Sequence, residues 1–216
     1  MRNTLSVILA TAVLLTSSVR AQYYIYTNVP SGSTVSLTNS VEVSPPSTNQ
    51  AETVGIAFGS GSGDGTLSGN GDFTVSNTAD AGSYGGTNLI GIQAATLTNS
   101  YTGAVTVNHD LSAYTLDLEG AAYGYDTDIY GNLDGAVTVT IKGPTYNDTG
   151  SAKDTENNST AVGINGNISS NLNASVTAIA IGGTSFGSNV SEQNARASAY
   201  GITGNVGGDV SAAVSA

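Results

Sequence analysis

Asp126, Asp128 and Asp134 crowd carboxylates into one short stretch of the chain. Polysaccharide lyases and hydrolases draw on such carboxylates, one as acid and another as base or nucleophile. A lyase also wants a basic residue beside them, and the nearest is Lys142; no set of acids and bases recurs in neighbouring segments. Solvated, outward-facing carboxylates are the plainer reading. His109-Asp110 is the one histidine with an adjacent acid. General-base work needs a nucleophile in reach and an orienting partner. With no cysteine and no serine in a recognisable elbow, the pair reads as part of a solvated loop.

Residues 61–73, from Gly61 through Asp64 and Asp72 to Phe73, come nearest to a metal motif. Calcium-binding nonapeptide repeats place an Asp before an apolar residue in glycine-rich turns, so that carboxylates and turn carbonyls meet between coils. Here the two aspartates lie eight apart rather than nine and the glycine pairs are missing. A flexible or tightly turned glycine loop is expected, with weak calcium binding left open. Of the eleven tyrosines, Tyr123, Tyr125 and Tyr200 hold positions expected to point inward. Tyr84, Tyr101, Tyr114, Tyr130 and Tyr146 are less constrained, and exposed ones can stack on sugars or proteins. No catalytic residue, cofactor or metal is expected.

What must position these groups is a repeat. Gly55, Gly91, Gly124, Gly163 and Gly201 recur at intervals of 36, 33, 39 and 38 residues, each between small or apolar neighbours. Behind the last three glycines, Ile129, Ile168 and Val206 follow at +5, Leu133, Leu172 and Val210 at +9, and Val137, Val176 and Val214 at +13. Val105 and Val107 arrive one residue late after Gly91, which predicts a single-residue bulge. The apolar offsets −1, +1, +5, +9 and +13 share one parity. Strand side chains alternate with period two, so these residues are expected on one face of an extended chain. The chain carries 28 glycines in 216 residues, and its outward positions are mostly Ser, Thr, Asn, Asp and Gly, types that favour turns and break helices. The fold class predicted is all-β, a parallel β-solenoid of about five glycine-anchored repeats.

Residues 1–21 read as a cleavable signal peptide, with Arg2, an apolar run over 5–15 and small residues Val19 and Ala21 around Arg20. Its removal leaves Lys142, Lys153 and Arg196 against sixteen acids. Such a surface repels phosphate backbones, which excludes a nucleic-acid binder. An exported chain without cysteine relies on stacked backbone hydrogen bonds and an aliphatic interior instead of disulfides. Residues 22–50 are expected as an N-terminal cap or lead-in strands, and 51–216 as the repeat region. Residues 143–159 read as a surface loop, and 114–118 as a possible extra strand. The chain stops at Ala216 inside the fifth copy, so the repeat region is expected to be incomplete at its C-terminus.

Motifs such as Ala199-Tyr200-Gly201-Ile202-Thr203-Gly204-Asn205-Val206, behind a cleavable leader, resemble the passenger regions of bacterial autotransporters (type V secretion). The resemblance covers about residues 51–216 and rests on repeat style and composition. It implies a parallel β-helix exposed at or released from the surface of a Gram-negative cell, reached via the periplasm. It also implies that the full-length protein carries an outer-membrane β-barrel that this chain lacks. The function expected is that of a non-enzymatic, adhesin-like surface fragment displaying polar loops to an unknown protein or glycan ligand. One alternative is a secreted carbohydrate-active enzyme on the same scaffold; another is a structural surface-layer or biofilm component.

Overall fold

A strand that buries one face needs neighbours on both edges, and a chain that repeats its pattern supplies them from its own next copy. The computed structural model describes residues 22–44, 50–78, 87–112, 119–147, 155–186 and 193–216. The signal peptide and the 114–118 strand predicted above lie outside them. The described residues wind as a parallel β-solenoid. The first coil contains β1 (Gln22–Val29), β2 (Ser33–Leu37) and β3 (Val41–Val43); the second, β4 (Gln50–Phe58), β5 (Gly65–Gly69) and β6 (Phe73–Thr78). β7 (Thr87–Tyr101) and β8 (Val105–Asp110) make the third. The fourth holds β9 (Glu119–Tyr130), β10 (Val137–Lys142) and β11 (Thr145–Asn147). β12 (Thr155–Asn165), β13 (Val176–Ile181) and β14 (Thr184–Phe186) follow, then β15 (Gln193–Ile202) and β16 (Val214–Ser215).

One sheet stacks β1, β4, β7, β9, β12 and β15, with β5 joining β2 to β7; a second stacks β3, β6, β8, β10, β13 and β16, and β11 pairs with β14 in a small third. Ile56 pairs with Ile92, Ile92 with Tyr125, and Ile164 with Ile202. Tyr125 pairs with Ile164. One sequence repeat is therefore one coil. β1 to β3 pair in parallel with β4 to β6 and so form a coil of their own. The columns predicted from the offsets form: Ile129 bridges Ile168, Ile168 bridges Val206, Leu133 bridges Leu172, and Leu172 bridges Val210. Ile129, Ile168, Leu133 and Leu172 are at most 1% exposed, and burying each such side chain contributes roughly 1.5–3 kcal/mol. The late arrival of Val105 also has its cause. The ladder between β7 and β9 slips between Gln93 and Thr96, the bulge expected from the sequence.

The parity argument fails at the glycines. Val54 pairs with Ile90 and Ile56 with Ile92, but the glycine between them takes no partner in that ladder. A Cβ on Gly55 would sit 2.7 Å from Val75 Cγ2 and 2.8 Å from the Gly91 carbonyl oxygen, so this glycine faces the interior. Ile56 and Tyr125, one residue past their glycines, belong to the main core. Val54, Ile90 and Tyr123, one residue before, form a separate cluster with Ala57 and Ile25 on the other face. Two successive inward residues break the period-two rule, and only glycine fits where the backbones approach this closely. Tyr125 is core as predicted, but Tyr123 is not, and Tyr200 is 50% exposed.

Two predicted loops contain strands. The glycine-rich stretch after Phe58 makes a short 3-10 turn, Gly59–Gly61, and then β5, which pairs on both edges. The 143–159 segment gives up Thr145–Asn147 to β11 and its last residues to β12, where Ser159 is buried.

Candidate functional site

The carboxylates that suggested chemistry follow Gly124 at +2, +4 and +10, and the coil geometry brings each onto the asparagine at the same offset from Gly163 in the next coil. Asp126 accepts hydrogen bonds from Gln93 Nε2 at 3.1 Å and from Asn165 Nδ2 at 2.8 Å, while Thr203 Oγ1 donates to Asn165 Oδ1 at 2.8 Å. Asp128 Oδ1 accepts from the Asn167 backbone N–H at 2.8 Å and from Asn167 Nδ2 at 3.0 Å. Asn167 Oδ1 in turn accepts from the Asn205 backbone N–H at 3.0 Å. Asp134 Oδ1 accepts from Asn173 Nδ2 at 2.7 Å, and Asn173 Oδ1 from Ser211 Oγ at 2.8 Å. Charge-assisted bonds of this kind are about twice as strong as neutral ones. The three aspartates thus belong to three separate ladders that tie coil to coil.

One consequence is measurable. Asn165→Asp would set a second carboxylate against Asp126 in place of a donor, and like charges on facing strand positions destabilise. A loss of about 1–2 kcal/mol is expected at neutral pH. Denaturant unfolding of the variant beside the unchanged protein reads it.

The aspartates of the glycine-rich stretch are likewise engaged, at different corners. Asp64 Oδ1 accepts from Thr96 Oγ1, and Asp72 Oδ1 from the Ala104 backbone N–H at 3.0 Å. Among the described residues no three His, Asp or Glu side chains converge as a metal ion would require.

His109 and Asp110 do not lie in a loop. Both are in β8, where alternation sends the imidazole inward, 2% exposed, and the carboxylate outward. Asp110 Oδ2 accepts from Lys142 Nζ at 3.1 Å, and Oδ1 from the Ser112 backbone N–H at 3.0 Å and from Ser112 Oγ. Burial raises its pKa, but the Ser112 hydrogen bonds and the Lys142 charge together hold it below the usual carboxylate range.

The tyrosines divide by burial. Tyr101 is fully buried, its hydroxyl donating to the Gly71 and Ala104 carbonyl oxygens. Tyr130 is 53% exposed. Tyr84 and Tyr114 lie outside the described residues, as does the side chain of Tyr146. Burial, reinforced by Asp72, pushes the Tyr101 hydroxyl up to about 12 from its usual 10.0, and burial raises Tyr125 as well. Both neutral forms stabilise the fold fully below pH 10; the Tyr101 contribution is lost as pH rises to about 12, and that of Tyr125 goes on declining above it. We expect phenolate absorbance to rise in two stages, the later one coinciding with alkaline unfolding. Tyr101→Phe should remove part of that pH dependence.

Sequence reasoning missed the outer face of the second sheet. Thr74, Thr106, Thr138 and Thr177 stand in one column there, paired strand to strand. Ser76, Asn108 and Thr140 form the next column. In the sequence they show only as the polar half of an alternation whose apolar half is Val75, Val107 and Val139. Beside them Asp110 and Lys142 close a shallow depression of about 240 Å³. Comparison with protein-family models, curated proteins and solved structures finds no match, so this arrangement is read on its own chemistry alone.

Proposed function

We propose that the chain is a non-catalytic, exported β-solenoid of the autotransporter-passenger kind, a rigid rod that presents polar surfaces to a ligand outside the cell. One observation carries this reading. Asp64, Asp72, Asp126, Asp128 and Asp134 are all engaged in bonds between coils, while hydroxyl and amide columns face outward between them. A scaffold of this type gains rigidity from the side chains that an enzyme would keep available for substrate. The leader-like residues 1–21 and the acidic, cysteine-free composition support export to a surface.

Two measurements test the reading. Expressed with residues 1–21 in a Gram-negative host, the protein should leave the cytoplasm and begin at Gln22. Incubated with acidic polysaccharides, it should release no more reducing ends or unsaturated products than a blank. Turnover abolished by Asp126→Asn or Asp134→Asn would replace this reading with the enzyme.

A further inference from the structure

The depression on the second sheet has a built chemistry. β8 and β10 are interior strands, paired on both edges, so no free backbone edge is offered and strand addition is excluded. Recognition there has to come from side chains. Asn108 Nδ2 reaches Ser76 Oγ at only 3.4 Å, a long bond that a better acceptor displaces. Lys142, its side chain 52% exposed, has three donors, one of them directed to Asp110. Asp110 is 30% exposed and still offers acceptor positions on Oδ2. Donors and acceptors therefore alternate within one small area.

Charge and size narrow the occupant. The chain carries a net −11, which opposes an anionic ligand. Within the depression Asp110 and Lys142 cancel, so neither a cation nor an anion finds an uncompensated partner. At about 240 Å³ the space falls below the ~300–1,000 Å³ of pockets for drug-sized ligands. It suits one ring of a longer molecule, the remainder of which lies along the open face. The rim adds an apolar step. Ile179 pairs with Thr140 and Ile181 with Lys142, and these two side chains are 44% and 48% exposed. The aromatic and arginine anchors that dominate protein interfaces are absent from the depression's lining. What matches is an uncharged unit with hydroxyls on its edge and C–H groups on its face.

From this complementarity we infer that the depression formed by Ser76, Asn108, Asp110, Thr140 and Lys142 binds one sugar ring of a neutral polysaccharide. Asp110 and Lys142 take its vicinal hydroxyls, and Ile179 and Ile181 take its C–H face. The assignment rests on the display reading above and supplies the ligand class that reading left open.

The test uses the full chain, isotope-labelled, titrated with three neutral polysaccharides (a dextran, a galactomannan and a β-glucan) and with polygalacturonate as the acidic comparison. Binding of at least one neutral polymer is expected, with amide shifts centred on Asn108, Asp110, Thr140 and Lys142. Lys142→Gln and Thr140→Val should each weaken it about tenfold or more, while Thr177→Val, in the neighbouring column, leaves it unchanged. Unchanged unfolding midpoints identify the loss as one of recognition. Preference for polygalacturonate, shifts centred elsewhere, no binding at millimolar sugar, or equal affinity in all three variants would each overturn the assignment. A protein that fails these titrations but is exported and inert toward polysaccharides refutes the sugar site and leaves the display reading standing. One that cleaves the polymers refutes the display reading.

Discussion

Replacing Gly124 by alanine should cost about 3 kcal/mol of stability or more, and by valine should prevent folding under ordinary conditions. A Cβ there would lie 2.5 Å from the Gly163 carbonyl oxygen and 2.6 Å from Val137 Cγ1. Neither neighbour is free to yield. The carbonyl is backbone of the next coil, and Val137 is fully buried in a strand paired on both edges. Gly163 repeats the conflict with the Gly201 carbonyl at 2.5 Å and with Val176, so alanine at both positions should be worse than either alone. Gly182→Ala is the matched control. Its added Cβ would meet only the Cβ of Ala197, at 3.8 Å, an ordinary contact, and the change should stay within about 0.5 kcal/mol. Thermal unfolding followed by circular dichroism separates the cases. Equal melting temperatures for Gly124→Ala and Gly182→Ala would show that the glycine column is dispensable.

Leu133→Ala is expected to cost about 2–5 kcal/mol, the range for emptying a closed aliphatic site. Leu133 is 0% exposed and stacks directly on Leu172, itself 0% exposed. The column carries its own internal comparison, because Val210, next in line after Leu172, is 54% exposed. Val210→Ala removes side-chain carbon from the same repeat position with little burial to lose, and should change stability by less than about 1 kcal/mol. Urea unfolding of the two variants should therefore shift the midpoint strongly in the first case and little in the second. Similar shifts would mean that position in the repeat, not burial in the column, sets the cost.

The column partners were readable because apolar residues at +5, +9 and +13 repeat without gaps over three copies, and burial in a stacked column demands that repetition. The same offsets hold for the ladders at the outward +2, +4 and +10 positions. Asp126, Asn165 and Thr203 share one offset, and so do Asp134, Asn173 and Ser211. Reading these acids one by one suggested a cluster; reading them by offset shows inter-coil hydrogen bonds. His109 also left a signal, since it continues the alternation of Val105 and Val107 toward Leu111, all three of them buried with it. A histidine at a position with the parity of its buried neighbours is an interior residue. The orientation of Tyr123 and Tyr200 was not readable. It depends on a glycine that turns two consecutive residues inward, which no count of parity reveals.

Methyl-to-methyl cross-relaxation in a sample labelled on isoleucine and valine methyls tests the central claim, that one repeat is one coil and its aliphatic side chains stack in register. Adjacent coils stand about 4.8 Å apart. Ile129 should show a strong cross-peak to Ile168, and Ile168 to Val206, with only a weak one between Ile129 and Val206. Absent Ile129–Ile168 and Ile168–Val206 cross-peaks, or a direct Ile129–Val206 contact as strong as either, would contradict the account.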